Sequence, residues 1–479
     1  MRRLAALAVL ASLAAAGCAH YPVNPPLARW DKDAGYRFAA LEPGAGNSDS
    51  LFVCLSFSGG GTRAAALAYG VMKELRRTAI VWKGQPTTLL AEVDCISSVS
   101  GGSFTAAYYG LFRDELFTSF EQDFLKKNVT RALIGRALNP FNWPRLASPY
   151  WSRIDLAAEL YDETIFRGAT YRTLIDARDR PFVVLNATNM RNGVRFEFTQ
   201  DQFDFLGSSL DTYPVARAVA ASSAFPFLLS PLTVRAWGPA PGFQMHDEYT
   251  TALKDFDLSP VRYHRARPQV DYLDQSRVQY VHLLDGGLAD NIGLRSVERA
   301  AQATDGFIFR RRGTDAPIER LVIVAVNART DPDDDSSLSA RAPGIIGVGM
   351  KTATVSMENY SFETVQAARQ RADNEATVAR MYEDCARLLG ECVPPRLLDP
   401  RPTFKTCVVE VSFEAIKDDA ERRRFLNLPT RFDLPAADVD AVVEMGATLL
   451  RRSPYYASLV RTLGGTVPDG PAASDAECE

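Results

Sequence analysis

Hydrophobic and polar positions alternate along this chain in a repeating sense: short apolar runs, a glycine break, then a helical stretch. Leu51 to Phe57 (LFVCLSF) is a strand-type run; SGGG interrupts it, and TRAAALAYGVMKELRR follows with helical composition and a basic end. A second unit repeats the order: VDCISSV, the break SGG, and the apolar helical stretch SFTAAYYGLFRDELF. RPFVVLNATN and VRFEFTQ read as strands, and Pro214 to Pro226 (PVARAVAASSAFP) as a helix opened by proline and closed by a turn. VQYVHLLDGG is a strand running into a glycine turn, and LVIVAVNA, Leu321 to Ala328, is a buried parallel-type strand. Ile345 to about Leu389 reads as helix, TCVVEVSF as a late strand, and PAADVDAVVEMGATLLRRS as a closing amphipathic helix. Strands alternating with helices predict a mostly parallel sheet covered on both faces. The three glycine breaks all fall at the carboxyl end of a strand, where such sheets bind ligands.

The N-terminus breaks this pattern. Arg2 and Arg3 precede a short apolar run, Leu4 to Ala16, too short to span a bilayer and typical of a secretory signal. It ends in AAGC, with Cys18 in a position that resembles a bacterial lipobox. That resemblance implies cleavage before Cys18, lipidation of the cysteine, and, with Ala19 following, retention in the cell envelope at the outer membrane. The stretch from Cys18 to Ser50, rich in Pro, Gly and Asn, reads as a tether and irregular lead-in. The 479 residues, 46% hydrophobic and 23% charged, are enough for a large core, and a net charge of −4 gives no basic face for nucleic acid. Of the other cysteines, Cys54 and Cys95 lie in apolar runs and read as buried thiols, while Cys385 and Cys392 are close enough in sequence to pair. No CxxC or His/Cys cluster suggests a metal. The acidic loop DPDDDSS lacks the glycine and glutamate of a calcium loop and reads as solvated.

The chemistry concentrates in three breaks. A serine nucleophile on a sharp strand-to-helix elbow needs small residues two before and two after it. In ISSVSGGSF only Ser100 meets that demand, with Ser98 before and Gly102 after. Such a serine requires a base and an oxyanion site. His20, His246, His264 and His282 have no suitable context; His282, three residues from Asp285 on a strand, reads as a packed residue pointing away from it. Asp285, ending a strand ahead of Gly286 and Gly287, is the better base. Asp290 reads as a brace for that turn. Gly59, Gly60 and Gly61 open a helix and can turn backbone N–H groups toward an anion, joined by the N–H of Gly101. Arg63 either holds this loop or faces a lipid phosphate; a plain surface arginine is the alternative.

Taken together, Gly59-Gly60-Gly61-Thr62-Arg63, Ser98-Val99-Ser100-Gly101-Gly102 and Asp285-Gly286-Gly287, in this order, resemble the motifs of the patatin-like phospholipase family. Val215 to Pro226 is similar to a family segment between nucleophile and aspartate. Two departures stand out, Ser98 and Ala64 where the family often has glycine. The resemblance implies a three-layer α/β/α sandwich with a mostly parallel sheet and a Ser100–Asp285 dyad that needs neither metal nor cofactor. It also implies carboxylic ester hydrolysis, with membrane lipids as substrate as well as anchor. The expected organisation is a signal at 1–17, a lipidated tether at 18–50 and a catalytic core at 51–330. Helices and a strand at 331–465 pack on the same domain, and a tail occupies 466–479. Phe227 to Arg277 is long enough to supply a lid. Two other readings stay open: acyl transfer from the same acyl-enzyme, and a non-catalytic lipid-binding lipoprotein.

Overall fold

The computed structural model describes residues 19–311, 317–331, 340, 344–389, 404–468, 470–471 and 478. In chain order, β1 (Leu51–Phe57) leads into α1 (Gly61–Arg77), and a small hairpin follows, β2 (Ala79–Trp82) with β3 (Gln85–Thr88). Next come β4 (Val93–Val99), α2 (Gly101–Phe112), α3 (Val129–Leu138), α4 (Arg153–Tyr161), β5 (Phe182–Asn189) and β6 (Arg195–Glu197). The chain continues through α5 (Val215–Ser222), β7 (Leu232–Arg235), β8 (Tyr280–Asp285), α6 (Leu294–Gln302), β9 (Arg320–Asn327) and α7 (Ile345–Leu389). It closes with β10 (Lys405–Ser412), α8 (Ala436–Arg452) and α9 (Pro454–Thr462).

One eight-stranded sheet organises the chain in the order β10-β9-β1-β4-β5-β8-β7, with β6 also paired to β5. The β10, β9, β1, β4 and β5 strands run parallel; β6, β7 and β8 join antiparallel. Every residue of β1 and β4 is buried, as expected of central parallel strands covered on both faces. Helices α1, α2, α5 and α8 pack on one another in one layer; α6 and α7 form the other, against β1, β4 and β10. The expected α/β architecture with a mixed, mostly parallel sheet is therefore present.

Residue 330 is not a structural boundary. β10 extends the same sheet in register with β9, from Lys405 opposite Arg320 to Ser412 opposite Asn327. α8 lies against α1 so closely that a Cβ on Gly70 would sit 2.1 Å from the Val443 carbonyl oxygen. Nor is the lead-in a loose tether. Tyr36 and Phe38 are buried in the core, and the Arg37 guanidinium is buried against Asp201 (2.5 Å) and Asp204 (2.6 Å). Prolines and glycines prevent regular structure here but leave these side chains free to dock.

The cysteines also depart from expectation. Cys54 and Cys95 face each other across the β1–β4 ladder, Cα atoms 4.6 Å apart, and form a disulfide rather than two thiols. A second disulfide joins Cys407 on β10 to Cys478, pinning part of the tail. Cys18, Cys392 and most of the acidic loop, residues 332–339, lie outside the described residues.

Candidate active site

β4 ends at Val99, Ser100 forms the turn, and α2 starts at Gly101. The turn holds Ser100 at φ 49° and ψ −118°, a strained conformation for a residue with a side chain, which costs about 1–3 kcal/mol. The packing explains the small residues that follow. A Cβ on Gly101 would lie 2.0 Å from the Gly61 carbonyl oxygen, and one on Gly102 would lie 2.7 Å from both Phe57 Cβ and Ser58 O. Ser98 is tolerated because its hydroxyl has partners: it accepts from Ser103 Oγ (3.1 Å) and donates to Val184 O (3.5 Å).

Asp285 closes β8, opposite Ala187 on β5. The Ser100 side chain lies beside its carboxyl group, near enough to help hold its pKa down, and the Gly287 N–H donates to Oδ1 at 2.8 Å. Both residues are buried, Ser100 at 6% exposure and Asp285 at 1%. Burial pushes the Asp285 carboxyl from 3.8 up to about 7; the Gly287 hydrogen bond and the neighbouring Ser100 side chain act in the other direction and only limit the rise. The backbone on either side is fixed, with Asp285 N–H donating to Ala224 O (2.9 Å) and Thr188 Oγ1 donating to Asp285 O (2.8 Å). No histidine bonds this pair. His282 is exposed on the opposite face of β8, bonded to Thr233 (3.1 Å) rather than packed, and His246 caps a helix by accepting from Glu248 N–H.

The glycine loop lies against Ser100: a Cβ on Gly59 would be 3.2 Å from Ser100 Cβ. Gly60 and Gly61 have φ of 139° and 60°, backbone conformations that suit glycine and that let successive N–H groups form an anion-binding turn. One correction concerns Gly59. Its N–H donates to Asn291 O at 2.9 Å, so it braces the loop and is not free for an incoming oxyanion. Among the described residues, no group accepts from the N–H of Gly60, Gly61 or Gly101.

Arg63 is a buried clamp, not a surface cation. Nε donates to Ala328 O (3.0 Å), Nη1 to Leu428 O (2.6 Å) and Nη2 to Thr430 Oγ1 (3.1 Å), tying the loop to two later segments. Asp290 braces its turn as expected, accepting from Arg295 N–H at 2.8 Å. Sequence reasoning assigned no role to Ser222, on α5. Its Oγ accepts the Ser100 N–H (2.9 Å) and donates to Asn186 O (2.6 Å), so it supports the elbow from below. The Ala-Ser-Ser segment carried that signal, without the partner that gives it meaning. The expected lid segment is mostly built into the fold: β7 is an edge strand, and Phe227 and Leu228 stay exposed beside the site.

A strand-end serine beside a buried carboxyl, with a glycine loop of unpaired backbone donors against it, has the layout of a serine acyl hydrolase. The family model described as patatin-like phospholipase matches residues 55–297, half of the chain. The chain belongs to the patatin-like phospholipases, a family of carboxylic ester hydrolases. Among solved structures it is similar to human GIVD cytosolic phospholipase A2, at 14% identity and TM-score 0.37, over 87% of this chain and 62% of that one. VipD from Legionella pneumophila matches at 11% identity and TM-score 0.28, over 83% of this chain and 67% of that one. The chain thus spans less than two thirds of the human phospholipase. No curated protein matches it.

Proposed function

We propose that this protein is a membrane-anchored lipid acyl hydrolase that releases fatty acids from phospholipid or related esters. Asp285 takes the proton of Ser100 as Ser100 Oγ attacks the ester carbonyl carbon. The N–H groups of Gly60, Gly61 and Gly101 stabilise the oxyanion; the alcohol leaves with a proton returned from Asp285. Water, deprotonated by Asp285, then attacks the acyl-enzyme; the C–Oγ bond breaks, Ser100 Oγ takes the proton back from Asp285, and the fatty acid is freed.

The observation that carries this reading is Ser100, on a strained turn, set beside the buried Asp285 carboxyl, with three backbone donors from which no described group accepts. A carboxyl raised to about 7 suits a base that must both take and return a proton near neutrality. The signal-like N-terminus with Cys18 supports an envelope location, anchored by lipid on that cysteine. Purified protein is expected to release fatty acid from phospholipid vesicles, and Ser100→Ala to abolish release. Equal activity in the variant would refute the assignment. Added alcohol acceptors show whether the acyl group passes to water or to another alcohol.

A further inference from the structure

We infer that one face of the protein, running from the N-terminus to the active-site mouth, docks on the surface of a lipid bilayer. The inference rests on the membrane anchoring proposed above and adds an orientation to it.

The first described residues have no slack. Ala19 O accepts from Ser148 Oγ at 2.6 Å, and Tyr21 N–H donates to Tyr150 O at 2.9 Å. The His20 ring stacks on Tyr150, with centroids 5.3 Å apart. Asn24 then locks the strand of chain in place, donating to Ser208 Oγ and Arg235 O at 2.8 Å each. One residue spans at most about 3.6 Å, so an anchor on the residue before Ala19 would hold the Ala19–Tyr150 corner close to the membrane. An anchor this short fixes which face meets the lipid.

That face carries a run of large exposed apolar side chains next to the anchor point. Ile134 and Leu138 lie one turn apart on α3 and are 54% and 68% exposed. Phe141 is 88% exposed, and Trp143 and Tyr150 are each 57% exposed. The turn that carries Phe141 folds back on α3 through Asn142 Nδ2, which donates to Arg136 O (2.9 Å). Scattered apolar side chains are normal on a protein surface; a cluster of five large ones within seventeen consecutive residues marks an interaction site. Trp and Tyr favour the headgroup boundary, where an apolar ring and a polar edge are both satisfied.

The same face leads to the site. Arg153 Nη1 donates to Phe227 O (3.5 Å), and Ile154 N–H donates to Ser230 Oγ (3.1 Å). Phe227 and Leu228 are themselves more than half exposed. Three residues before Phe227, Ala224 O accepts the Asp285 N–H. A bilayer seated on Tyr150 and Phe141 therefore also meets Phe227 and Leu228, beside the dyad, and a lipid acyl ester can pass from membrane to Ser100 without crossing water.

The test uses the mature chain reconstituted in vesicles of phosphatidylethanolamine and phosphatidylglycerol containing brominated phosphatidylcholine. Of the five tryptophans, Trp143 alone is exposed. Its fluorescence should be quenched by the brominated chains, and the quenched component should vanish in Trp143→Phe. Phe141→Glu with Trp143→Glu should lower hydrolysis of vesicle phospholipid roughly tenfold or more, because two large apolar groups leave the lipid. Turnover of a soluble p-nitrophenyl ester should stay unchanged, which also shows that the variant folds. An unquenched Trp143, equal vesicle hydrolysis by the double variant, or cross-linking that places Trp143 against a second copy of the chain would overturn the inference. Absent ester turnover with Trp143 still quenched would sink the hydrolase reading and leave the docking face standing.

Discussion

The backbone N–H of Ser100 donates to Ser222 Oγ at 2.9 Å, and Ser222 Oγ in turn donates to Asn186 O at 2.6 Å. A residue 122 positions away thus holds the strained turn that presents the proposed nucleophile. Ser222→Ala should leave the Ser100 N–H and the Asn186 carbonyl without this partner, costing about 1–3 kcal/mol of stability. The looser elbow should lower kcat roughly tenfold or more with KM little changed, since the effect is on the attacking atom's position. Urea unfolding and steady-state kinetics on one soluble ester measure both.

Asp285 predicts a pH profile. The free enzyme needs this carboxyl ionised, so kcat/KM should rise with pH through about 7. The stability effect has the opposite slope. Between 3.8 and about 7 the folded protein keeps a proton that the unfolded chain has released. Stability should therefore fall across that window by about 1.4 kcal/mol per pH unit for this group. Asp94, buried and likewise raised to about 7 by desolvation despite Arg180, adds a second slope of the same sign. Asp285→Asn should abolish hydrolysis while removing the slope that this carboxyl contributes. Unfolding free energies at about pH 5 and about pH 8 for both proteins test it.

Gly101→Ala tests the packing of the elbow against the glycine loop. The added methyl would meet the Gly61 carbonyl oxygen at 2.0 Å, with backbone on both sides. Loss of activity and destabilisation by about 2 kcal/mol or more are expected, read by thermal unfolding and by ester turnover. Gly135→Ala, inside exposed α3 with nothing within 4 Å, is the matched control and should keep full activity while gaining about 0.5–1 kcal/mol of stability.

Arg63→Lys separates a clamp from a charge. The guanidinium reaches Ala328 O, Leu428 O and Thr430 Oγ1 together, and an ammonium cannot match that fork. A loss of about 1–3 kcal/mol in stability is expected even though the charge is kept. A fall in activity on neutral soluble esters as well as on phospholipid would fit a positioning role. A fall on phospholipid alone would point to headgroup contact.

Much of this was legible in the sequence, and the gaps have a physical pattern. The strands β1 and β9 announced themselves as apolar runs, because a parallel strand covered on both faces has few polar positions to show. Ser100, Asp285 and the glycine loop could be read because their chemistry needs particular small residues at fixed offsets in the chain. What stayed hidden depends on contacts distant in sequence. The Cys54–Cys95 disulfide follows from strand register, which apolar composition does not encode. Gly59 looks like its neighbours until Asn291, far along the chain, takes its N–H. Ser222 stood out only as part of the Ala-Ser-Ser segment, which does not name the Ser100 backbone it supports. The lead-in read as a tether because its prolines and glycines exclude helix and strand, yet Tyr36, Arg37 and Phe38 dock it into the core.

The central claim, that Ser100 is an activated nucleophile, is tested most directly by labelling the folded protein with a fluorophosphonate and locating the adduct by peptide mass spectrometry. Stoichiometric modification of Ser100, absent in Ser100→Ala and strongly slowed in Asp285→Asn, is the predicted result. A folded protein that hydrolyses ester yet carries no adduct on Ser100, or carries it on another serine, would contradict the account.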